Sequence, residues 1–183
     1  MLMDDPALVE ALRSGDPRAP RVFIERFQGV VLGLCVRMLS QREDAEDVVQ
    51  ETFVRALRAI GGFDSSRPIR PWLLGIAANR CRTTLGKRAR MPALAPAEAT
   101  ERLIDPRPGV ADPDDLAGEL ERAIARLRPD YRVVFVLFHE QNLSHEEIAQ
   151  TIQRPIGTIK TWLRRARAEL AVDLGRRGVG REP

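Results

Sequence analysis

The chain has 183 residues, 44% of them hydrophobic and only 5% aromatic, which gives room for one ordinary folded domain or two small ones and excludes a disordered polypeptide. Its longest apolar runs fall far short of a bilayer span, and its N-terminus carries acids where a secretory leader carries cations, so neither a membrane helix nor a signal peptide is expected. The formal net charge of +3 conceals segregation. Arg67 to Arg90 holds seven cations and no acid, Arg154 to Arg181 holds eight cations against Glu169 and Asp173, and Glu43, Asp44, Glu46, Asp47 and Glu51 form an acidic block. Two basic stretches suit a polyanion contacted twice, and the acidic patch suits a separate basic partner.

The first elements read as helices. Asp5-Pro6 is a cap followed by proline at the first helical position, and that helix stops near Ser14-Gly15. Asp16-Pro17 begins another, in which Val22, Phe23, Phe27, Val30, Val31, Leu34, Cys35 and Met38 recur at helical steps; Pro20 requires its true start near Ala19. Asp44 to Ile60 is a third, with Ala45, Val48, Val49, Phe53, Ala56, Leu57 and Ile60 inward and Gly61-Gly62 at its end. A polar, proline-marked loop from Asp64 to Pro71 leads into a basic helix from Trp72 to Arg90, weakened by about 1 kcal/mol at Gly75 relative to alanine. Residues 89–115 hold Pro92, Pro96, Pro106, Pro108 and Pro113 with little periodic apolar content, and read as a flexible linker.

Beyond the linker, Asp112-Pro113 caps a helix that places Leu116, Leu120, Ile124 and Leu127 on one face, and Arg128-Pro129 breaks it. The run Val133 to Phe138 would suit a buried strand by composition, but no second strand is on offer to pair with it, and a buried helix is expected. Ser144 and Glu147 then stand as the two halves of a capping box, with Leu143 and Ile148 as its hydrophobic staple. Gln153-Arg154-Pro155 breaks the helix thus begun. The next one puts Ile156, Ile159, Leu163, Ala166 and Leu170 on a packing face and leaves Lys160, Arg164, Arg165 and Arg167 elsewhere on the cylinder. This is the pattern of a helix-turn-helix DNA reader.

The remaining reactive residue types point to no chemistry. Cys35 and Cys81 lie in unrelated helical segments without metal-ligand spacing and read as small core residues, which with the absent leader favours the cytoplasm. His139 and His145 lack a third ligand and suit surface or capping roles, so no metal is expected. No nucleophile, base and orienter set, phosphate loop or cofactor fingerprint is visible, so neither an enzyme nor a cofactor is expected.

Four blocks, "SGDPRAPRVFIERF", "DAEDVVQETFVRALRAIGGFD", "PWLLGIAANR" and "LERAIARLRPDYRVVFVLFHEQNLSHEEIAQTIQRPIGTIKTWLRRARAEL", give the chain a resemblance to bacterial sigma-70 factors of the extracytoplasmic-function (ECF) group over nearly its whole length. The resemblance implies an all-α fold of two small helical domains: residues 1–88 for polymerase binding and minus-ten recognition, linker 89–115, residues 116–176 with the helix-turn-helix, and tail 177–183. It implies core RNA polymerase and promoter DNA as partners, with an anti-sigma factor as a further candidate. By the same resemblance Asp44, Asp47, Gln50 and Glu51 face the polymerase, and the helical spacing of the three acids agrees. Asn79 lies where a flipped minus-ten base is read, with Asp64, Ser65, Ser66, Arg67 and Ile69 as pocket wall and Arg80 and Arg82 on nearby phosphates. Trp72 suits core better than a base platform. Thr158, Lys160, Thr161, Arg164 and Arg165 fall on the helix that reads the minus-thirty-five element. Two positions depart from the family pattern: Trp162 stands where a cation is common, and Gln153-Arg154 forms a turn where glycine is frequent and predicts backbone strain. The competing reading is a helix-turn-helix regulator whose N-terminal unit is a sensor or dimerisation module; it has no use for an acidic block followed by a basic helix.

Overall fold

The computed structural model describes residues 4–90 and 116–176; the expected cap at Asp112, most of the expected linker and the tail lie outside them. Among the described residues every regular element is helical: α1 (Asp5–Arg13), α2 (Ala19–Leu39), α3 (Arg42–Ala59), a 3-10 turn (Ile60–Gly62), α4 (Ile69–Arg90), α5 (Leu116–Arg126), α6 (Pro129–His139), α7 (His145–Thr151) and α8 (Ile156–Arg176).

The N-terminal unit is a three-helix packing of α2, α3 and α4 with α1 laid across one end. Asp4, one residue before the expected cap, accepts from the Ala7 amide, and Gly15 takes the left-handed conformation just past the C-cap Ser14. The second helix does begin at Ala19, so Pro20 falls in its first turn and removes no intrahelical bond. Phe23 is the centre of the core, edge-on to Phe27 at 5.3 Å and to Phe53 at 5.6 Å between ring centroids. The fourth helix starts three residues earlier than expected: Pro71 read as a loop residue, but a proline in the first turn lacks only an amide that would have no intrahelical partner. Arg13 of α1 donates to the carbonyls of Ile60 and Phe63, which fixes the start of the short loop before α4.

The C-terminal unit packs α5, α6 and α7 around α8. The ambiguous Val133 to Phe138 run is the helix α6, and Val133, Val134, Val136 and Leu137 are fully buried. Both halves of the capping box form, Glu147 amide to Ser144 Oγ at 3.1 Å and Ser144 amide to Glu147 Oε2 at 2.8 Å, with Leu143 and Ile148 buried beneath. Gln153 has φ of 53°, so the turn does carry a left-handed non-glycine residue, a strain of about 1 kcal/mol. Three residues expected on packing faces are exposed. Leu116 and Leu120 stand out because only the C-terminal half of α5 is buried, and Ile156 because it opens α8 beyond its contact with α7.

The two units are docked, α5 and α6 against α2, and α6 and α7 against α4. At this boundary Arg37 bonds Glu121 at 2.7 Å and Glu140 at 3.1 Å, and Arg70 donates to the Gln141 carbonyl at 3.0 Å and to its side-chain oxygen at 2.8 Å.

Candidate polymerase and promoter interfaces

Two acids of the acidic block, Asp44 and Glu51, turn toward the basic helix α4, while Glu43, Glu46 and Asp47 stay exposed. Arg80 on α4 donates to Glu51 on α3, and Arg88 pairs with Asp44. The residue numbers of the two pairs sum to nearly the same value, as they must when helices run antiparallel. Glu51 also accepts from Arg55 at 2.9 Å. Burial pushes its carboxyl upward, but the bonds from Arg55 and Arg80 together outweigh this and hold it below the ordinary carboxylate range. Arg80 is thereby committed to a carboxylate rather than left for a phosphate.

Of the four residues expected to meet the polymerase, Asp47 and Gln50 remain exposed, and Asp47 makes no ion pair within the described residues. Beside them runs a shallow groove between α2 and α3, lined by Gln28, Gly29, Leu32, Glu46, Val49 and Gln50. The space above Gly29 and Gly33 is open, so another backbone can come close there.

On α4, Asn79 is exposed and its side-chain amide bonds nothing within the described residues; only its carbonyl is used, by Thr83 Oγ1 at 2.9 Å. The expected pocket wall is elsewhere. Ten residues of helix separate Ile69 from Asn79, about 15 Å of rise. Ser65, Ser66, Arg67 and Ile69 instead line a separate cavity with Asp5, Pro6 and Val9 of α1 and with Phe63. Ile69, expected in the loop as a base contact, is the first residue of α4 and 1% exposed, a member of the hydrophobic core that also lines that cavity. Asp64 accepts from both the amide and the hydroxyl of Ser66, bonds that hold its carboxyl below its usual range and stiffen the loop. Trp72 packs on Phe63 with centroids 4.8 Å apart, as a core residue does. Arg82 pairs across the unit boundary with Asp130 of α6 at 2.7 Å.

On α8, Lys160 and Arg164 are exposed one turn apart, with no ion pair among the described residues. Thr161 is half-buried and its hydroxyl is returned to the Gly157 carbonyl at 2.8 Å, while Arg165 donates to the Tyr131 hydroxyl at 3.2 Å. Thr158 sits in the first turn, its amide bonded to the Pro155 carbonyl at 2.9 Å. His139 accepts from Arg167 between the rings of Phe135 and Phe138. Its pKa is lowered, first by burial and then by the Arg167 charge, both of which disfavour the charged ring. Among the described residues no group of three or more His, Cys, Asp or Glu could hold a metal ion, and no helix is long and apolar enough to cross a membrane.

Comparison with known proteins decides what this arrangement belongs to. The Sigma-70 region 2 family matches residues 23–91 and the Sigma-70 region 4 family matches residues 117–170. The chain is 32% identical over 180 residues to the RNA polymerase sigma-H factor of Pseudomonas aeruginosa, covering 89% of this chain and 90% of that protein. It is 35% identical over 176 residues to the ECF RNA polymerase sigma-E factor of Haemophilus influenzae, covering 90% and 92%. The chain belongs to the ECF group of the sigma-70 family. Its fold is that of CnrH, solved in complex with the cytosolic domain of CnrY (TM-score 0.66, 26% identity, 94% of this chain and 97% of that one). It is also that of the sigma factor RpoE of Bartonella quintana, solved with the anti-sigma factor NepR (TM-score 0.66, 23% identity, 90% and 99%).

This sigma factor is a transcription initiation factor, and the sensor-module alternative falls because the N-terminal unit is itself a region 2 domain. Sigma factors of this family are in general not enzymes. Sequence reading missed the groups at the unit boundary, Arg37, Arg70, Gly75, Asp130, Arg132 and Gln141. Their signal lies in pairings between residues up to 103 positions apart, which no local periodicity carries.

Proposed function

We propose that the two units of this sigma factor divide promoter recognition as the sequence divides them. Residues 1–88 bind core RNA polymerase and open the minus-ten element, residues 116–176 read the minus-thirty-five element, and residues 89–115 join them. The polymerase contact is centred on Asp47 and Gln50 and on the groove between α2 and α3, with Asp44 and Glu51 holding α4 behind it. Lys160 and Arg164 contact bases or phosphates upstream, flanked by Thr158, Thr161 and Arg165. Asn79 receives the extruded base, and Asp64, Ser65, Ser66 and Arg67 form a second, separate contact on the same strand. Arg82 joins the strand once its carboxylate partner is displaced. The factor works in the cytoplasm, without a cofactor and without catalysis of its own. Because a structural neighbour was solved with an anti-sigma factor, we extend that partner class to this chain.

One observation carries this reading. The arginines at 37, 80, 82, 88 and 126 are each paired with an internal carboxylate, yet Lys160 and Arg164, on the second helix of the helix-turn-helix, are exposed without one among the described residues. Unpaired cations one turn apart on such a helix suit a groove of DNA. The test is binding of holoenzymes carrying Lys160→Ala or Arg164→Ala across promoters altered at the upstream element. A residue in bidentate base contact loses about 1 to 3 kcal/mol on the preferred sequence alone. A phosphate contact loses similarly on all sequences, and no loss on any of them removes the residue from the interface.

A further inference from the structure

We propose that Arg13, the last residue of α1, is a positioning residue for minus-ten recognition: it holds residues 64–68 in one geometry by bridging the backbone on either side of Gly61-Gly62. The inference rests on the reading that this loop contacts the minus-ten strand.

The loop needs holding. Residues 64–68 are all exposed, between two buried anchors, Phe63 against Trp72 and Ile69 in the core. Directly before Phe63 stand Gly61 and Gly62, both exposed, with open space where a Cβ would be. Glycine has the widest choice of backbone angles, so a pair of them is a swivel at the root of the loop. The Phe63 amide bonds the Ile60 carbonyl at 3.2 Å, and the Ser66 and Arg67 amides bond Asp64 at 3.0 and 3.1 Å. These bonds lie within the segment and do not tie it to the rest of the unit.

Arg13 supplies that tie. Its Nε donates to the Ile60 carbonyl at 3.3 Å and its Nη2 to the Phe63 carbonyl, so one planar fork spans the glycine pair. The helix that delivers it is itself seated: Leu8 and Val9 are buried, and Asp5 at its start pairs with Arg26 of α2 at 3.0 Å. Asp5, Pro6 and Val9 also wall the cavity that Ser65, Ser66 and Arg67 close from the other side. The Arg13 charge reaches Asp64 too, adding, after the Ser66 bonds and Arg67, to what keeps that carboxyl below its usual range. The tie comes from outside residues 23–91, the stretch that the region 2 family matches.

A swivelling loop binds but discriminates poorly. Hydrogen bonds to base edges weaken steeply with misalignment, so a loop held in one geometry favours one base, while a loop spread over many pays an ordering cost and fits several. Losing the fork should therefore flatten the base preference rather than abolish promoter binding, by about fivefold if the fork contributes what one hydrogen bond does net. Gly61 and Gly62 lack the left-handed φ of Gly15, so alanine is allowed at both and narrows the swivel by a similar amount.

The test captures duplex DNA, randomised across the minus-ten and minus-thirty-five elements, with holoenzyme made from core RNA polymerase and the full chain, and reads base enrichment position by position. Arg13→Ala should lower enrichment at minus-ten positions about fivefold and leave the minus-thirty-five positions as in the parent. Adding Gly61→Ala and Gly62→Ala to Arg13→Ala should restore most of it. In the free chain, hydrogen exchange at the Phe63, Ser66 and Arg67 amides should quicken by a similar factor in Arg13→Ala while α3 stays as protected as in the parent. Parental enrichment in Arg13→Ala, or equal loss at both elements, overturns the proposal. A loss that the double glycine substitution does not restore overturns it too, and assigns Arg13 to the seating of α1. Should Arg13→Ala lose helicity, Arg13→Lys, whose single ammonium cannot bridge both carbonyls as the fork does, decides on the same readouts. Arg67→Ala separates this from the minus-ten assignment of the loop: parental enrichment there removes the loop from the contact, whereas flattening there without flattening in Arg13→Ala overturns the positioning alone.

Discussion

Arg132 Nη1 donates to the Met38 carbonyl at 2.6 Å, so a cation from α6 closes the last turn of α2 in the other unit. The same guanidinium donates to the Ala125 and Leu127 carbonyls at the end of α5. One planar fork thus serves carbonyls from two helix ends, which a single ammonium cannot do. Arg132→Lys and Arg132→Ala should both lower the unfolding free energy, by about 1 to 3 kcal/mol, since hydrogen bonds to a charged donor are lost in a buried place. Denaturant titration of the full chain measures it; full stability in Arg132→Lys would show that the fork geometry is dispensable.

Cys35 and Cys81, read from sequence as unrelated, meet between α2 and α4, both fully buried. The hydrogen bond with the Cys35 sulfur and burial both push the Cys81 thiol far above its ordinary range. The thiolate is the reactive form, so both thiols should resist an aromatic disulfide reagent in native protein at pH 8 and react promptly once it is denatured. Fast labelling of the native chain would contradict the packing of α2 on α4.

The elements were legible because their signals are local. The capping box at Ser144 and Glu147, the requirement that Pro20 sit in a first turn, and the three- and four-residue steps of Phe23, Phe27 and Val31 each act within a few residues. What was not legible depends on pairs distant in sequence. Nothing local reveals that α3 and α4 run antiparallel and bring Glu51 to Arg80. Gly75 read as a weak point in a helix, since its reason is the Thr151 carbonyl on another unit. Ile69 read as loop because Pro68 and Pro71 flank it, although a first-turn proline is compatible with a helix start.

Reversing the acids of α3 should separate two functions. Asp47→Arg changes an exposed residue without an ion-pair partner among the described residues, so core polymerase binding should weaken while the melting temperature holds. Glu51→Arg breaks the bonds to Arg55 and Arg80 and sets like charges together, so it should lower stability as well. Because the Glu51 carboxyl is held below its usual range, its stabilisation is present at neutral pH and lost as pH falls through the acidic range. The difference in stability between Glu51→Gln and the parent should accordingly shrink toward low pH. Unchanged polymerase affinity in Asp47→Arg at physiological salt would remove α3 from the interface.

Ser144→Ala should cost the helix-turn-helix about 1 kcal/mol, because the Glu147 amide loses its acceptor while only the backbone bond from residue 144 to the Glu147 carboxylate is kept. Hydrogen exchange at the α7 amides should rise while α2 and α3 stay protected. Equal exchange in both proteins would mean that the Leu143 and Ile148 staple alone holds the helix start.

Asn79 is an unusually clean probe of strand opening, since its amide is exposed and bonds nothing among the described residues. Alanine at an exposed helical position removes no packing and favours the helix slightly, so Asn79→Ala should leave stability, polymerase binding and upstream recognition intact. If the amide grips a base only after that base has left the stack, the loss should fall on opening alone. Permanganate reactivity of unpaired thymines in holoenzyme complexes should drop on fully paired promoter DNA and recover on a template already mismatched across the minus-ten element. Opening at the parent level on paired DNA, across several minus-ten sequences, would take base capture away from Asn79 and direct the search to the cavity between α1 and the Ser65 to Ile69 segment, where the side chains that wall it already converge.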